Sequence, residues 1–175
     1  MMAGKENIIL IGMPASGKST VGVILAKILG KEFIDTDIVI QRREGTTLQE
    51  IIDKEGIDHF LRCEEKALLS TDVTNTVIST GGSAVYSDTA MKHLSEAAVV
   101  VYLKVGLDDL KKRLKGIKER GVVMKPGESL EDMYEARSVL YEKYADITVS
   151  EENSQIEETV SAVTEALRNR GKENK

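Results

Sequence analysis

The sequence predicts a three-layer α/β fold, in which a five-stranded parallel sheet is covered by helices on both faces. Short apolar strands alternate with helical patterns five times along the chain. Strands that are apolar on both faces are typical of a parallel sheet that is buried on both sides. In addition, the first strand runs directly into a glycine-rich phosphate-binding motif that opens a helix, which is the structural context expected for such a motif.

Each element is assigned from its own pattern. Strands are short apolar or β-branched runs, and helices show apolar residues three or four apart. Thr47 and Glu50 form a capping box at the start of one helix, Gly30 ends another, and the polar tail at 168–175 is predicted to fray. In chain order the elements are strand 7–11, a helix ending near residue 30, strand 32–35, helices 38–43, 47–54 and 57–70, strand 76–79, helix 87–95, strand 98–103, helices 108–115 and 130–144, strand 147–149 and helix 156–167.

The stretch from Gly12 to Thr20 fits the phosphate-loop pattern G-x-x-x-x-G-K-[ST]. Gly12 and Gly17 allow a close approach that a side chain would block, so that backbone N–H groups converge on phosphate oxygens at a helix N-terminus. We expect Lys18 to reach the β- and γ-phosphates of ATP and the Ser19 hydroxyl to ligate Mg²⁺. The predicted nucleotide-binding residues of this loop are Gly12, Ala15, Ser16, Gly17, Lys18, Ser19 and Thr20.

Two carboxylates, Asp35 and Asp37, lie at the end of the second predicted strand. Their side chains point the same way in an extended chain. One could support Mg²⁺, directly or through water, while the other faces an acceptor hydroxyl. The structural alternative is that Asp37 is an N-cap, because it precedes a helix. The presence of two carboxylates together favours a functional role.

Gly81 and Gly82 follow the third strand. Ligands of parallel sheets bind beyond the carboxyl ends of the strands, so we expect these glycines at the same edge as the phosphate loop. They could let backbone N–H groups approach a substrate, or they could form a plain strand-to-helix turn. The spacing leaves both interpretations open.

A basic run at 111–120 enters a charged, glycine-containing stretch at 116–128. Charge runs are usually solvated helix faces, and we expect that of most of these lysines. The stretch at 116–128 is also predicted to be a mobile lid, from which Arg120 could close over ATP and stabilise transition-state charge.

The bulk properties exclude several classes of protein. At 175 residues the chain is predicted to be one domain, 1–175. A net charge of −5 argues against general nucleic-acid binding, which needs a basic surface. There is no apolar run of membrane-spanning length and no secretory signal. We therefore expect a cytoplasmic monomer that acts on small molecules.

The cysteine and the histidines are given no catalytic or metal-binding role. Cys63 is the single cysteine, and its helical neighbours Phe60 and Ala67 indicate a buried structural thiol. His59 and His93 lie far apart in the sequence and lack metal-ligand spacing. No Cys/His constellation is predicted.

Taken together, these motifs resemble those of the shikimate kinase family of phosphate-loop enzymes, over about residues 8–167. The family's D-x-D appears as Asp35-Thr36-Asp37, its glycine motif as Thr80-Gly81-Gly82, and its arginine before L-Y-E as Arg137. The resemblance implies a sheet of order 2-3-1-4-5, an acceptor-binding segment at about 36–70, and a lid at about 116–128.

The resemblance also implies roles for individual residues. Ser19 and Asp35 would lie at the Mg²⁺, Asp37 would contact the acceptor hydroxyls and act as base, and Arg113 would lie beside the adenine. The implied catalytic residues are Lys18, Asp37 and Arg120. The implied acceptor-binding residues are Asp37, Leu61, Glu64, Gly81, Gly82 and Arg137.

The sequence departs from the family pattern in the acceptor segment. Leu61 stands where the family has an arginine that pairs with the shikimate carboxylate, although Glu64 matches. Arg62 cannot simply replace that arginine, because one helical step turns it by ~100°. Ile57 replaces a glutamate and Ser83 replaces a third glycine. Either the pocket takes a different acceptor, or Ile57 and Leu61 pack against the core.

Three functions are compatible with this pattern. The first is an ATP-dependent kinase with shikimate as the default acceptor. The second is a kinase for another small hydroxylated acceptor, such as homoserine, because of Leu61. The third is a nucleotide-binding module without kinase activity, against which the intact Ser19, Asp35, Asp37 and Arg120 argue.

Overall fold

The protein is described by a computed structural model that covers residues 6–114, 122–151 and 155–173. Its five strands pair in parallel in the order β2-β3-β1-β4-β5. The predicted fold class and strand order are therefore confirmed. The strands are β1 (Asn7–Ile11), β2 (Glu32–Asp35), β3 (Thr76–Ser79), β4 (Ala98–Lys104) and β5 (Ile147–Ser150).

Helices connect the strands and differ from the predictions mainly at their ends. The α-helices are α1 (Lys18–Leu29), α2 (Thr36–Glu44), α3 (Leu48–Glu55), α4 (Ile57–Leu69), α5 (Asp88–Ala97), α6 (Leu107–Leu114), α7 (Leu130–Tyr144) and α8 (Ile156–Glu173), with a short 3₁₀ helix at Ala84–Tyr86. The predicted capping box of Thr47 and Glu50 is present at α3. Helix α8 continues to Glu173, past its predicted end at residue 167, and Arg170 in its last turn pairs with Asp146 at 2.8 Å.

Alternate residues of the central strands supply two separate hydrophobic cores, as expected for a sheet buried on both faces. On one face Ile8 and Leu10 pack with apolar residues of α1 and α8. On the other face Ile9 and Ile11 pack with residues of α5, α6 and α7. Both faces of β1 are thus dry, and the phosphate loop that follows it starts from a rigid strand.

The segment between β2 and β3 has a small core of its own. Buried apolar residues of α2, α3 and α4 form it, together with Val123 from the stretch before α7. This segment therefore packs as a unit beside the edge of the sheet at which β1, β2 and β3 end. No helix within the described ranges is long and apolar enough to cross a membrane.

A glycine at position 22 lets α1 approach the sheet closely. A Cβ built there would lie 2.6 Å from Phe33 Cε2 and 3.2 Å from Leu10 Cδ1. Gly171 in α8 offers a matched control, because a Cβ there meets nothing within 4 Å. Both Gly→Ala substitutions gain ~1 kcal/mol of helix propensity, so the difference between them isolates the contact.

We expect Gly22→Ala to be less stable than Gly171→Ala by about 1–3 kcal/mol, because overpacking forces side chains off their rotamers. Urea denaturation followed by circular dichroism measures this difference. Equal stability of the two variants would show that α1 can move away from β2 without cost.

Candidate active site

The phosphate loop depends on unusual backbone angles. Gly12 has φ +149° and Gly17 has φ +82°, and a Cβ on Gly12 would lie 2.6 Å from the Leu103 carbonyl oxygen. Gly17 also occupies the N-cap of α1. Ala15 adopts φ +62°, which is uncommon outside glycine. The predicted requirement for glycine thus has a steric basis at Gly12 and a conformational basis at Gly17.

The Lys18 ammonium lies in the curve of this loop. Its Nζ donates to the carbonyl oxygens of Gly12 at 2.9 Å and Met13 at 2.8 Å, and to Ser16 Oγ at 3.3 Å. Burial lowers the pKa of Lys18 to about 8, although the nearby Asp37 and Asp35 carboxylates act in the opposite direction. A cation is therefore fixed where phosphate oxygens would bind.

Ser19 and Asp35 form the oxygen pair that was predicted for Mg²⁺. Ser19 Oγ donates to Asp35 Oδ2 at 2.6 Å and lies 3.3 Å from Ser79 Oγ. Hydroxyl and carboxylate oxygens are the ligands that Mg²⁺ prefers, so the pair fits this ion. Asp35 Oδ1 accepts a hydrogen bond from the Asp37 backbone N–H at 3.0 Å. Asp35, not Asp37, is thus the N-cap of α2, and the structural alternative for Asp37 is wrong.

The carboxyl group of Glu64 is buried, and that of Asp37 is half-buried. Burial, followed by the Asp35 carboxylate, raises the pKa of Asp37 to about 6, while Lys18 lowers it. Burial raises the pKa of Glu64 to about 7, against a hydrogen bond from Ser83 Oγ to Glu64 Oε2 at 2.6 Å. Glu64 Oε1 has no hydrogen-bond partner among the described residues.

Gly81 and Gly82, which follow β3, are each required for a different steric reason. A Cβ on Gly81 would collide with Glu64 Oε1 and lie 2.9 Å from Asp37 Oδ1. A Cβ on Gly82 would lie 2.8 Å from Pro14 Cδ in the phosphate loop. The absence of a Cβ at Gly81 leaves room for the Asp37 and Glu64 carboxylates. Its absence at Gly82 lets the phosphate loop pack against this turn. A plain strand-to-helix connection would require neither contact.

Arg137 of α7 is fully buried and held from three sides. Its Nε donates to Tyr86 Oη at 3.1 Å, its Nη2 donates to the Val123 carbonyl oxygen, and its guanidinium lies 5.1 Å from the centroid of the Tyr86 ring. One turn further along α7, Tyr141 Oη donates to the Gly82 carbonyl oxygen at 2.6 Å. The helix is therefore tied to the glycine turn, which fixes where the guanidinium points.

These groups surround one cavity of about 480 Å³. Most of the predicted site residues line it, and seven residues that the sequence analysis did not select line it as well. The predicted residues on its wall are Ala15, Gly17, Lys18, Ser19, Thr20, Asp37, Glu64, Gly81, Gly82, Arg113 and Arg137, and the additional ones are Pro14, Leu48, Phe60, Thr80, Ser83, Val122 and Val123. Gly12, Ser16 and Asp35 do not line the cavity. Gly12 and Ser16 accept hydrogen bonds from Lys18, and Asp35 accepts one from Ser19.

Leu61 does not line this cavity. Together with Ile57 it packs against the small core of α2, α3 and α4. Of the two alternatives for this helix face, the structure thus shows packing against the core. Leu61 borders a second cavity of about 150 Å³, which shares Glu64 and Ser83 with the larger one and is also lined by Arg62. The i,i+4 apolar spacing of Ile57 and Leu61 was the sequence signal for this packing.

Arg113 lies at the nucleotide side of the cavity. Its Nη1 donates to Glu151 Oε2 at 3.1 Å and to the Ala15 carbonyl oxygen at 3.4 Å. Glu151 is buried and follows β5, so only the fold brings it to Arg113. Arg120, the predicted lid arginine, belongs to 115–121 and lies outside the described residues.

Comparison with known proteins identifies relatives along nearly the whole chain. The family model described as shikimate kinase matches residues 14–168. The shikimate kinase of Mannheimia succiniciproducens is 37% identical over 172 residues, which is 96% of this chain and 98% of that protein. The shikimate kinase of Haemophilus influenzae is 39% identical over 161 residues, covering 89% of both chains.

Solved structures agree with these relatives. The shikimate kinase of Acinetobacter baumannii, in complex with shikimate, matches with a TM-score of 0.86 and 30% identity, over 94% of this chain and 93% of that one. The shikimate kinase of Aquifex aeolicus matches with a TM-score of 0.81 and 32% identity, over 94% of this chain and 98% of that one.

The raised pKa of Glu64 predicts a pH-dependent gain in stability for Glu64→Gln. The folded state holds the Glu64 proton up to a pKa of about 7, whereas the ordinary pKa of a glutamate is 4.5. The parent protein therefore loses stability as the pH rises from the unfolded pKa through the folded one, and the glutamine variant does not. We expect Glu64→Gln to be more stable than the parent by about 1–3 kcal/mol above pH 7, with the gain shrinking as the pH falls from 7 to 4.5 and absent at lower pH.

Urea denaturation at several pH values measures this effect. Glu135→Gln is the control, because Glu135 is an exposed carboxylate on α7, and it should show no such trend. A gain for Glu64→Gln that does not depend on pH would contradict the assignment of the titration to Glu64.

Proposed function

This chain belongs to the shikimate kinase family, and we propose that it transfers the γ-phosphate of ATP to a hydroxyl group of shikimate. As a member of this family it is an ATP-dependent phosphotransferase that uses Mg²⁺ and acts on a hydroxyl acceptor. The relatives favour neither a homoserine-type acceptor nor a module without kinase activity. The observation that carries the proposal is the single cavity that joins Lys18 to Asp37 and Arg137.

On the donor side, the phosphate loop would hold the nucleotide. Lys18 would exchange its contacts with loop carbonyls for the β- and γ-phosphate oxygens. Ser19 and Asp35, whose oxygens lie 2.6 Å apart, would hold Mg²⁺ directly or through water. When bound there, the ion neutralises charge on the phosphates. Arg113, which contacts the carbonyl of Ala15, would lie along the nucleotide.

On the acceptor side, Asp37 would receive the proton of the attacking hydroxyl. With a pKa of about 6 it is mainly ionised at neutral pH and close enough to that range to accept a proton. The hydroxyl oxygen would form a bond to the γ-phosphorus while the bond from that phosphorus to the bridging oxygen breaks and ADP leaves. Because phosphoryl transfer depends on alignment and charge neutralisation, Lys18 and Asp37 in one cavity supply its main requirements.

Arg137 would bind the carboxylate of shikimate. Its guanidinium is already buried and oriented by Tyr86 and Val123, so little conformational entropy is lost on binding. Glu64 Oε1 lacks a partner among the described residues and would accept a hydrogen bond from an acceptor hydroxyl. The Acinetobacter baumannii relative, which was solved with shikimate, supports this choice of acceptor.

We also propose that the protein acts as a monomer in the cytoplasm. One chain supplies both the donor side and the acceptor side of the cavity, so catalysis requires no second subunit. The cytoplasm is the compartment in which its donor, ATP, is plentiful. Arg120 is proposed to close over the nucleotide from the lid at 116–128, in line with the family pattern.

The first test is turnover with shikimate in an assay that couples ADP release to a detectable signal. We expect activity that needs both ATP and Mg²⁺, and a loss of about 10²–10⁴-fold in kcat for Asp37→Asn, which removes the base. Asp72→Asn is the control, because Asp72 is exposed and lies outside the cavity. An active protein that accepts other hydroxy acids but not shikimate would refute the acceptor, and full activity of Asp37→Asn would refute the base.

The second test restores the arginine of the family pattern. Leu61 borders the smaller cavity beside Glu64, so the guanidinium of Leu61→Arg can reach the shared wall. A charge-assisted hydrogen bond contributes roughly 1.5–3 kcal/mol, and we expect the KM for shikimate to fall about tenfold or more with little change in kcat. Leu61→Met conserves volume and is the control. An unchanged KM in a folded Leu61→Arg would show that Arg137 alone supplies carboxylate recognition.

A further inference from the structure

Three potential metal ligands come together on the outer side of the acceptor segment. Glu44 is the last residue of α2, and His59 and Cys63 are four apart on α4. Each residue contributes one possible ligand atom: a carboxylate oxygen, an imidazole nitrogen and Sγ. These three atoms lie within 4.8 Å of one another. The sequence analysis singled out no Cys/His constellation, but the i,i+4 spacing puts His59 and Cys63 on one helix face.

We propose that Glu44, His59 and Cys63 form a binding site for a divalent transition-metal ion, with Zn²⁺ as the preferred occupant. Imidazole nitrogen, thiolate sulfur and carboxylate oxygen are the ligand types that zinc combines. The set contains a soft sulfur ligand, which Mg²⁺ and Ca²⁺ avoid. The site therefore differs in metal class from the Ser19 and Asp35 oxygen pair beside the phosphate loop.

The geometry is close to that of a bound ion. Zinc lies about 2.0–2.3 Å from its ligand atoms, so tetrahedral ligands are ~3.3–3.7 Å apart. Closing from separations of up to 4.8 Å requires movements of about 1 Å, which side-chain torsions of Glu44 and His59 can provide. His59 and Cys63 are half-buried and Glu44 is exposed, so that water can occupy the fourth position.

One carboxylate and two cationic side chains surround the thiol, namely Glu44, Lys66 and Arg62. Lys66 and Arg62 are both exposed, so their charged ends remain hydrated and can turn away from the site. An ion bound between Glu44 and Cys63 would remove the repulsion between the carboxylate and a thiolate.

A bound ion would connect α2 to α4. Asp37 lies at the start of α2, and the cavity residues Phe60 and Glu64 each follow a proposed ligand by one position on α4. Both helices also belong to the small core that contains Ile40 and Phe60. Metal binding would therefore stabilise the acceptor segment at 36–70 without contacting the reacting atoms.

The structural alternative is that Cys63 packs at the edge of that core and shares its proton with Glu44, while His59 is close by chance. In that case His59 contributes nothing to metal affinity. The two interpretations differ in a direct measurement on the full-length protein, made without nucleotide, because ATP itself binds metal ions.

The experiment is a competition titration of Zn²⁺ between the chelator-treated protein and a chromophoric chelator. We expect one ion per chain, a higher thermal midpoint with zinc, and a loss of affinity of about tenfold or more in both His59→Ala and Cys63→Ser. Co²⁺ should give the visible absorption of a tetrahedral site and a thiolate charge-transfer band that Cys63→Ser abolishes. Thermal midpoints measured without metal confirm that each variant is folded, and Glu44→Gln provides a third variant that keeps the thiol.

Two further variants are controls. His93→Ala removes the exposed histidine of α5 and should leave the affinity unchanged. Asp35→Asn, which alters the oxygen pair at the phosphate loop, should also leave it unchanged. Absence of saturable zinc binding, unchanged affinity in folded His59→Ala, or binding that depends on Asp35 would each overturn the proposal.

Discussion

The parallel register of β2, β3 and β1 is the constraint on which the site depends. Asp35 pairs with Ser79, and Ser79 pairs with Leu10, so the ends of three strands lie side by side. Thr80 adds two hydrogen bonds to the Leu10 carbonyl oxygen, from its backbone N–H at 3.2 Å and its hydroxyl at 3.0 Å. A slip of one residue in β2 would turn Asp35 to the other face of the sheet. The oxygen pair with Ser19 and the start of α2 at Thr36 would then both be lost.

The convergence of these strand ends also places ionisable side chains away from water, which lowers the stability of the folded state. Glu64 and Lys18 are buried and Asp37 is half-buried, and each has a pKa displaced toward its neutral form. Buried charge is tolerated where opposite charges and hydrogen bonds compensate for lost water, as between Lys18 and Asp37. Such displaced pKa values are common where chemistry takes place. The proposed base Asp37 and the Lys18 ammonium thus occupy positions that disfavour their charged forms.

The departures from the family pattern fall next to each other in space. Leu61 and Ser83 both border the smaller cavity, which Glu64 also lines. The Ser83 hydroxyl donates to Glu64, while Leu61 joins the core of the acceptor segment. Because leucine stands where the family has an arginine, the buried Glu64 carboxylate accepts a side-chain hydrogen bond only from the neutral Ser83 hydroxyl among the described residues. In the proposed function, the carboxylate of the acceptor is therefore bound by Arg137, which lines the larger cavity.

The sequence alone determined the fold class and the phosphate loop, because these follow from local patterns, whereas the strand order followed from the family resemblance. An apolar run, two glycines and a lysine at fixed spacing specify a loop without help from distant residues. Only the tertiary structure decided that Leu61 packs away from the main cavity, that Asp35 rather than Asp37 caps α2, and that Glu151 meets Arg113. It also brought Glu44 to His59 and Cys63. Residue spacing shows which side chains share a helix face. It does not show which distant neighbour that face meets, and each of these contacts depends on that neighbour.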